Sequence, residues 1–298
     1  MESMSILDVA LERVAEDIDR QFDLLLRAPD DARAPLYLAM RHAAIGGGKR
    51  LRPLLTLATA ELFNVDRQRA LRAATAIECV HVYSLVHDDL PAMDDDDMRR
   101  GKPTVHKAFD EAAAILAGDA LQALAFEILA DDATSPDPFV RAELVLTVAR
   151  AAGAAGMVGG QTMDLSAERN GFDLGTITRL QQLKTGALIA ASVEIGAILG
   201  HIPPEGRMGL RGYARDIGLA FQICDDLLDV EGDEAVAGKA LNKDAAAGKA
   251  TFLTLMGAER ARAQAELLVD QAIEHLKTFG EEADLLRAVA RFVIERDR

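Results

Sequence analysis

The chain has 298 residues, half of them hydrophobic but only 4% aromatic, with a formal net charge of −15; that is enough apolar material for a sizeable core, and the acidity excludes nucleic acid and anionic membrane surfaces as partners. No uninterrupted run of 18 apolar residues occurs, and Met1 to Arg20 carries Glu2, Asp8, Glu12, Glu16, Asp17 and Asp19. That excludes a secretory or transit signal, so a cytoplasmic protein with no stable membrane insertion is expected.

Apolar residues are mostly Ala, Leu, Ile and Val at helical spacing, as in Leu121, Leu124, Ala125, Ile128 and Leu129, or Ile177, Leu180, Leu183 and Ala187. No strand-like alternation bounded by hairpin turns is seen. The expected elements, in chain order, are helices at about 5–27, 34–45, 50–63, 67–90, 104–115, 118–131, 137–158, 174–182, 185–200, 205–231, 251–278 and 282–296. The breaker-rich stretches Asp131–Pro138 and Gly200–Gly206 are too short for domain linkers. The expected fold is therefore all-α, a single domain over 1–298 built as a bundle of ten to twelve mostly antiparallel helices around a central cavity. Cys79 and Cys224 lie in apolar helical stretches and read as small buried hydrophobes rather than a disulfide or metal ligands.

Following the chain, Gly46-Gly47-Gly48-Lys49-Arg50-Leu51-Arg52-Pro53 comes first. It lacks P-loop spacing; it is either a plain surface loop or a place where backbone amides and arginine forks approach an anion. Next, the helix carrying His81 runs into Asp88-Asp89-Leu90-Pro91-Ala92-Met93-Asp94-Asp95-Asp96-Asp97. Pro91 ends the helix, leaving carboxylates at its C-terminus, where the helix dipole and like charges oppose them unless a cation is present. A solvated acidic loop is the plain alternative. His81, seven residues before Asp88, shares its helix face. Arg99 and Arg100 follow directly. Some 130 residues on, Gln222, Asp225, Asp226 and Asp229 form one stripe on an apolar helix that also holds Ile217, Leu219, Phe221 and Ile223. Carboxylates in that setting are expensive without a partner, and oxygen-only donors favour Mg²⁺, with Ca²⁺ and Zn²⁺ as lesser rivals.

With these pieces in place, the sequence resembles the polyprenyl synthase family, its bacterial farnesyl diphosphate synthase branch most of all. The resemblance rests on G-G-G-K-R-L-R-P at 46–53, D-D-L-P-A-M-D-D-D-D-M-R-R-G-K-P-T at 88–104, A-I-L-A-G-D-A-L at 114–121, G-G-Q-T-M-D-L at 159–165, K-T-G-A-L at 184–188 and G-L-A-F-Q-I-C-D-D-L-L-D-V at 218–230, in family order.

The resemblance implies an Mg²⁺-dependent prenyltransferase that condenses isopentenyl diphosphate with dimethylallyl or geranyl diphosphate to give farnesyl diphosphate. A geranylgeranyl or other chain-length product is the alternative, a non-catalytic synthase subunit a more distant one, and a terpene cyclase is disfavoured by the second Asp-rich motif. It implies that Asp88, Asp94 and Asp225 ligate the metal, with three ions per site, and that Asp89, Asp226 and Asp229 support that shell. It further implies that Arg99, Lys184 and Lys239 contact the allylic diphosphate, and that Lys49, Arg52, His81 and Arg100 hold that of isopentenyl diphosphate. Thr185 and Gln222 then line the reacting centre, Lys249 sits on a closing loop, and a homodimer is expected. At 236–244 the sequence departs from the family pattern, leaving open whether Lys239 or Lys243 reaches the diphosphate. In the family, residues four and five before the first Asp, here Ser84 and Tyr83, help form the floor of the product tunnel. Tyr83 is either that floor or a plain core tyrosine.

Overall fold

The computed structural model describes residues 5–167, 171–231 and 251–295. Its helices are α1 (Ile6–Leu25), α2 (Ala34–Ala44), α3 (Leu51–Leu62), α4 (Arg67–Asp88), α5 (Val105–Ala108), α6 (Glu111–Ala130), α7 (Pro138–Ala152), α8 (Met157–Ala167), α9 (Leu174–Gln181), α10 (Ala187–Leu199), α11 (Met208–Glu231), α12 (Phe252–Met256), α13 (Ala258–His275) and α14 (Asp284–Glu295). The strands among the described residues are two short ones, β1 (Met98–Arg99) and β2 (Lys102–Pro103), paired antiparallel.

Local chemistry sets the helix starts. Ser5 and Asp8 form a reciprocal capping box on α1, and the side chains of Asp66, Asp110 and Asp137 accept backbone N–H bonds at the starts of α4, α6 and α7. On α1 a stripe of Leu7, Val14, Ile18 and Phe22 turns inward. By contrast, α4 and α10 are buried nearly all round, which marks them as the inner helices of the bundle. α4 packs on α3 and α6, α10 packs on α3, α7 and α11, and α11 packs on α13. One hydrophobic cluster runs through these contacts, and Cys79 and Cys224 sit in it as buried side chains.

The all-helical expectation holds, with local corrections. Residues 104–115 are not one helix: a hairpin and the four-residue α5 precede α6, which starts at the Asp110 cap and runs unbroken through 116–117. The expected helix 137–158 ends at Ala152 before Gly153, and α8 begins separately at Met157. Gly257, at φ 81°, divides 251–278 into α12 and α13, because that backbone cannot continue a right-handed helix.

By length and composition alone, Glu111–Ala130, Pro138–Ala167 and Leu174–Leu199 could cross a membrane, a property that counting uninterrupted apolar runs does not detect. Here α6 packs on α4, and α10 on α3, α7 and α11. Away from the cavity described below, Leu116 of α6 and Phe139 and Leu146 of α7 are exposed.

Candidate active site

The first acidic cluster is shaped by where α4 stops. Asp88 is its last residue, and the chain then doubles back so that the Asp94 amide donates to the Asp88 carbonyl at 2.8 Å. Asp89, 3% exposed, accepts from Arg99 Nε at 2.5 Å, and Asp96 accepts from Arg99 Nη2 at 3.2 Å. Asp89 and Asp96 therefore hold Arg99 in place. Burial pushes the Asp88 carboxyl up to about 6; Lys184 opposes that shift and Asp94 adds to it. Burial likewise raises Asp89, against the pull of Arg99.

Lys184 and Thr185 occupy a single π-helical turn, Gln182–Gly186, between α9 and α10. Such turns widen the helix and re-aim its side chains, and they recur at functional sites. Gly160 of α8 permits the close approach: a Cβ there would stand 2.2 Å from the Lys184 backbone nitrogen. Lys184 Nζ donates to Asp164 of α8 at 2.5 Å. Asp164 falls inside the matched segment 159–165, yet sequence reasoning assigned it no role; a charged residue within an otherwise apolar and glycine-rich motif was the available signal.

The second acidic stripe reaches the first through this turn. Thr185 Oγ1 donates to Gln222 Oε1 at 2.9 Å, and Gln222 Nε2 donates to Asp225 Oδ2 at 2.9 Å. Asp229 is 8% exposed, and its Oδ2 has no hydrogen-bond partner among the described residues. Asp226 behaves differently from a general supporting carboxylate, because its Oδ2 accepts the Phe252 amide at 2.7 Å and so anchors the start of α12. Asp95, Asp97 and the buried His106 bring one ligand atom each within 4.8 Å of one another, although Lys107 already pairs with Asp97 at 2.9 Å. Sequence reasoning passed over His106, which stands nine residues beyond Asp97.

The basic groups gather at the glycine loop. Lys102 Nζ ties the hairpin to the Ile45 carbonyl at 2.8 Å, and Arg100 Nη1 donates to the Gly47 carbonyl at 3.3 Å. Gly48, at φ 81°, adopts a backbone conformation that L side chains rarely take, and it lies against the Arg100 guanidinium, whose Cζ a Cβ there would meet at 2.5 Å. His81 Nε2 faces Arg52 Nη1 at 3.3 Å and Arg100 Nη2 at 3.5 Å. Guanidinium groups only donate, so Nε2 is the acceptor and the imidazole is neutral. Burial, joined by the arginine charges, holds the His81 pKa well below its usual value. Arg52 Nε is buried without a hydrogen-bond partner among the described residues. Lys49 lies over the Phe292 ring of α14, 5.3 Å from its centroid. Lys239, Lys243 and Lys249 lie outside the described residues.

Arg52, His81, Asp88, Lys184 and Thr185 are among the polar residues lining a cavity of about 620 Å³, while Asp89, Arg99 and Arg100 line a smaller neighbouring pocket beside the hairpin. The wall of the larger cavity is apolar, with Leu90, Met93, Ile115, Met157 and Leu165, and Tyr83 and Ser84 also line it. Tyr83 meets His87 edge-on, with ring centroids 5.8 Å apart. An amphipathic ligand with an anionic head and a hydrocarbon tail matches that division.

The family model for polyprenyl synthetase matches residues 33–292. The farnesyl diphosphate synthase of Escherichia coli is 47% identical over 271 residues, covering 89% of this chain and 90% of that one. Among solved structures, the apo FPP/GFPP synthase from Zymomonas mobilis is 60% identical with a TM-score of 0.89, covering 97% of this chain and 98% of its own. The geranyltransferase from Helicobacter pylori, in complex with magnesium and isoprenyl diphosphate, is 31% identical with a TM-score of 0.82 and covers 99% and 98%. A helical bundle in which the first acidic cluster borders a half-polar cavity and the second is joined to that cavity through Thr185 and Gln222, matched along nearly its whole length by these proteins, belongs to the polyprenyl synthetase family.

Proposed function

We propose that this chain, acting as a single domain over its whole length in the cytoplasm, is a short-chain prenyl diphosphate synthase. It joins isopentenyl diphosphate to dimethylallyl or geranyl diphosphate and releases farnesyl diphosphate. The observation that carries the reading is the cavity itself, whose lining sets Arg52, Lys184 and Asp88 beside a hydrocarbon wall.

In this reading Asp88, Asp94 and Asp225 hold the Mg²⁺ ions, three per site, that bind the allylic diphosphate. The donors fit a hard divalent cation: they are all carboxylate oxygens, burial has raised one of them, and the neighbouring Asp229 keeps a buried oxygen unpartnered. Bound Mg²⁺ supplies positive charge against the diphosphate oxygens. Lys184 and Arg99 add donors to the leaving diphosphate, and the contacts that the resemblance implies for Lys239 and Lys249 fall outside the described residues. Asp164 holds Lys184 at the cavity. The allylic C–O bond breaks with its electron pair on the diphosphate, and the isopentenyl double bond forms the new C–C bond. A proton then leaves to the departed diphosphate, so no dedicated protein base is required. Thr185 and Gln222 present oxygens beside the cation, and Arg52, His81, Arg100 and Lys49 anchor the isopentenyl diphosphate.

Incubating the purified chain with radiolabelled isopentenyl diphosphate, dimethylallyl diphosphate and Mg²⁺ yields a labelled C15 diphosphate, and chelation by EDTA abolishes it. No labelled product from active-site-intact protein refutes the enzyme. Longer products are the second reading, favoured by the Zymomonas mobilis relative, which carries the description FPP/GFPP synthase. Tyr83, buried on the cavity wall against His87, supports the shorter product. Tyr83→Ala removes that obstruction and shifts products to longer chains on reversed-phase chromatography; an unchanged distribution removes Tyr83 and its neighbour Ser84 from the floor.

The exposed apolar residues Leu116 of α6 and Phe139 and Leu146 of α7 support a homodimer. Sedimentation equilibrium giving the mass of one chain at micromolar concentration rules that assembly out.

A further inference from the structure

Glu78 is a charged residue with 1% exposure that none of the roles above uses. It sits on α4 three residues before His81, hence on the same helix face one turn earlier. The side chain accepts from Arg50 Nη1 at 2.7 Å and stands 3.8 Å from Arg100 Nη2.

Arg50 is itself 2% exposed, and as a non-glycine residue at φ 50° it adopts the left-handed backbone just before α3. That conformation is uncommon and persists where surrounding contacts over-determine it. Here the contacts are Glu78, Asp19 at 2.7 Å and the Ala44 carbonyl at 2.5 Å. The Gly46–Lys49 loop thus enters α3 through a clamped residue, and Arg52 follows two positions later.

The charges explain why a carboxylate belongs there. Burial weighs against the Arg52 charge, which Glu78 supports and Arg100 opposes. Burial also weighs against Arg100, with Glu78 supporting it and Arg50 and Arg99 opposing. Arg52 and Arg100 both face the neutral imidazole and Arg50 lies near enough to oppose the Arg100 charge, so these guanidinium groups repel one another, and in a desolvated pocket that repulsion is weakly screened. A fixed counter-charge behind them keeps the forks in place beforehand, so less reorganisation accompanies binding.

We propose that Glu78, through Arg50 and Arg100, is a positioning residue that pre-organises the subsite for the diphosphate of the isopentenyl substrate. The proposal rests on the assignment of that diphosphate to Arg52, His81 and Arg100. It also has a sign that a bystander carboxylate would not share. A buried negative charge that did no positioning would repel a diphosphate, and its removal would tighten binding.

The test is steady-state kinetics of Glu78→Gln, which keeps the shape and one acceptor oxygen but removes the charge. Its KM for isopentenyl diphosphate rises about tenfold or more, while kcat and the KM for the allylic substrate stay within about threefold. Glu78→Asp recovers part of the loss. A lower KM for isopentenyl diphosphate overturns the proposal, as does a fall in melting temperature with both KM values unchanged or rising together. If Glu78→Gln does not fold, Arg50→Lys carries the test, because it keeps the ion pair but not the fork to Asp19 and Ala44, and it raises the same KM selectively. Arg52→Gln separates the two levels. If it leaves the KM for isopentenyl diphosphate unchanged, the subsite assignment itself is wrong; if it raises that KM and Glu78→Gln does not, only the positioning role is lost.

Discussion

Asp88→Asn lowers turnover by about 10²–10³-fold, the typical loss when one transition-state contact to developing negative charge is removed, yet it makes the metal-free protein more stable at pH 7. Both effects follow from the position of Asp88 at the carboxyl end of α4, where burial raises its carboxyl to about 6. An acid whose pKa is higher folded than unfolded binds more protons in the native state. The stability this provides is present below the unfolded value, near 4, and is lost as pH rises through about 6. At pH 7 the apo wild type therefore carries a penalty of up to about 3 kcal/mol, from roughly two pKa units at 1.36 kcal/mol each. The neutral isostere does not carry it. Urea melts in EDTA at pH 7 show the variant more stable, and the gap closes below pH 4. Adding Mg²⁺ at pH 7 stabilises the wild type and leaves the variant less affected. A variant with near-normal turnover, or a stability gap independent of pH, rejects Asp88 as a ligand that folding holds ready for a cation. Asp225→Ala lowers turnover on the same grounds, checked in the same assay.

Gly160→Ala has the second large effect, although the glycine bears no functional group. Its added methyl stands 2.2 Å from the Lys184 nitrogen and 2.6 Å from the Lys184 Cα. Those are backbone atoms that no rotamer change can move aside. Overpacking of this kind costs about 1–3 kcal/mol. The larger consequence is displacement of the π-helical turn, which carries Lys184 at the cavity and passes through Thr185 and Gln222 to Asp225. A shift of about 1 Å in a positioned group can lower activity about 10²-fold. Loss of activity beyond what the drop in folded fraction explains, measured by kinetics and urea melts on one preparation, is the expected result. An active variant of wild-type stability would show that the α8 contact does not position the turn.

The errors of sequence reasoning were local and have physical causes. Periodicity alone ran a helix through 104–115 because Val105, Ala108 and the alanines at 112–114 suit one, but Asp110 caps a fresh start for α6. Four consecutive aspartates at 94–97 looked alike in the sequence. In the fold one shares a turn with Asp88, one holds Arg99, and two approach His106. Likewise Asp225 and Asp226 are neighbours 100° apart on α11, so one turns to Gln222 and the other caps α12. Glu78 carried no signal, because a charged residue inside an apolar helix is not distinguishable by spacing from one on its surface, and Arg50 stood out only as one member of the 46–53 motif.

The amino-acid order alone determined the helical class, the two acidic stripes and the set of basic residues, because helical period, proline breaks and motif order are properties of neighbours along the chain. Only the tertiary structure decided which carboxylates turn toward the cavity and which are consumed as caps and clamps. That choice depends on what faces each side chain across a helix interface, and residues as far apart as Gly160 and Lys184, or Arg50 and Glu78, become partners only when the bundle closes.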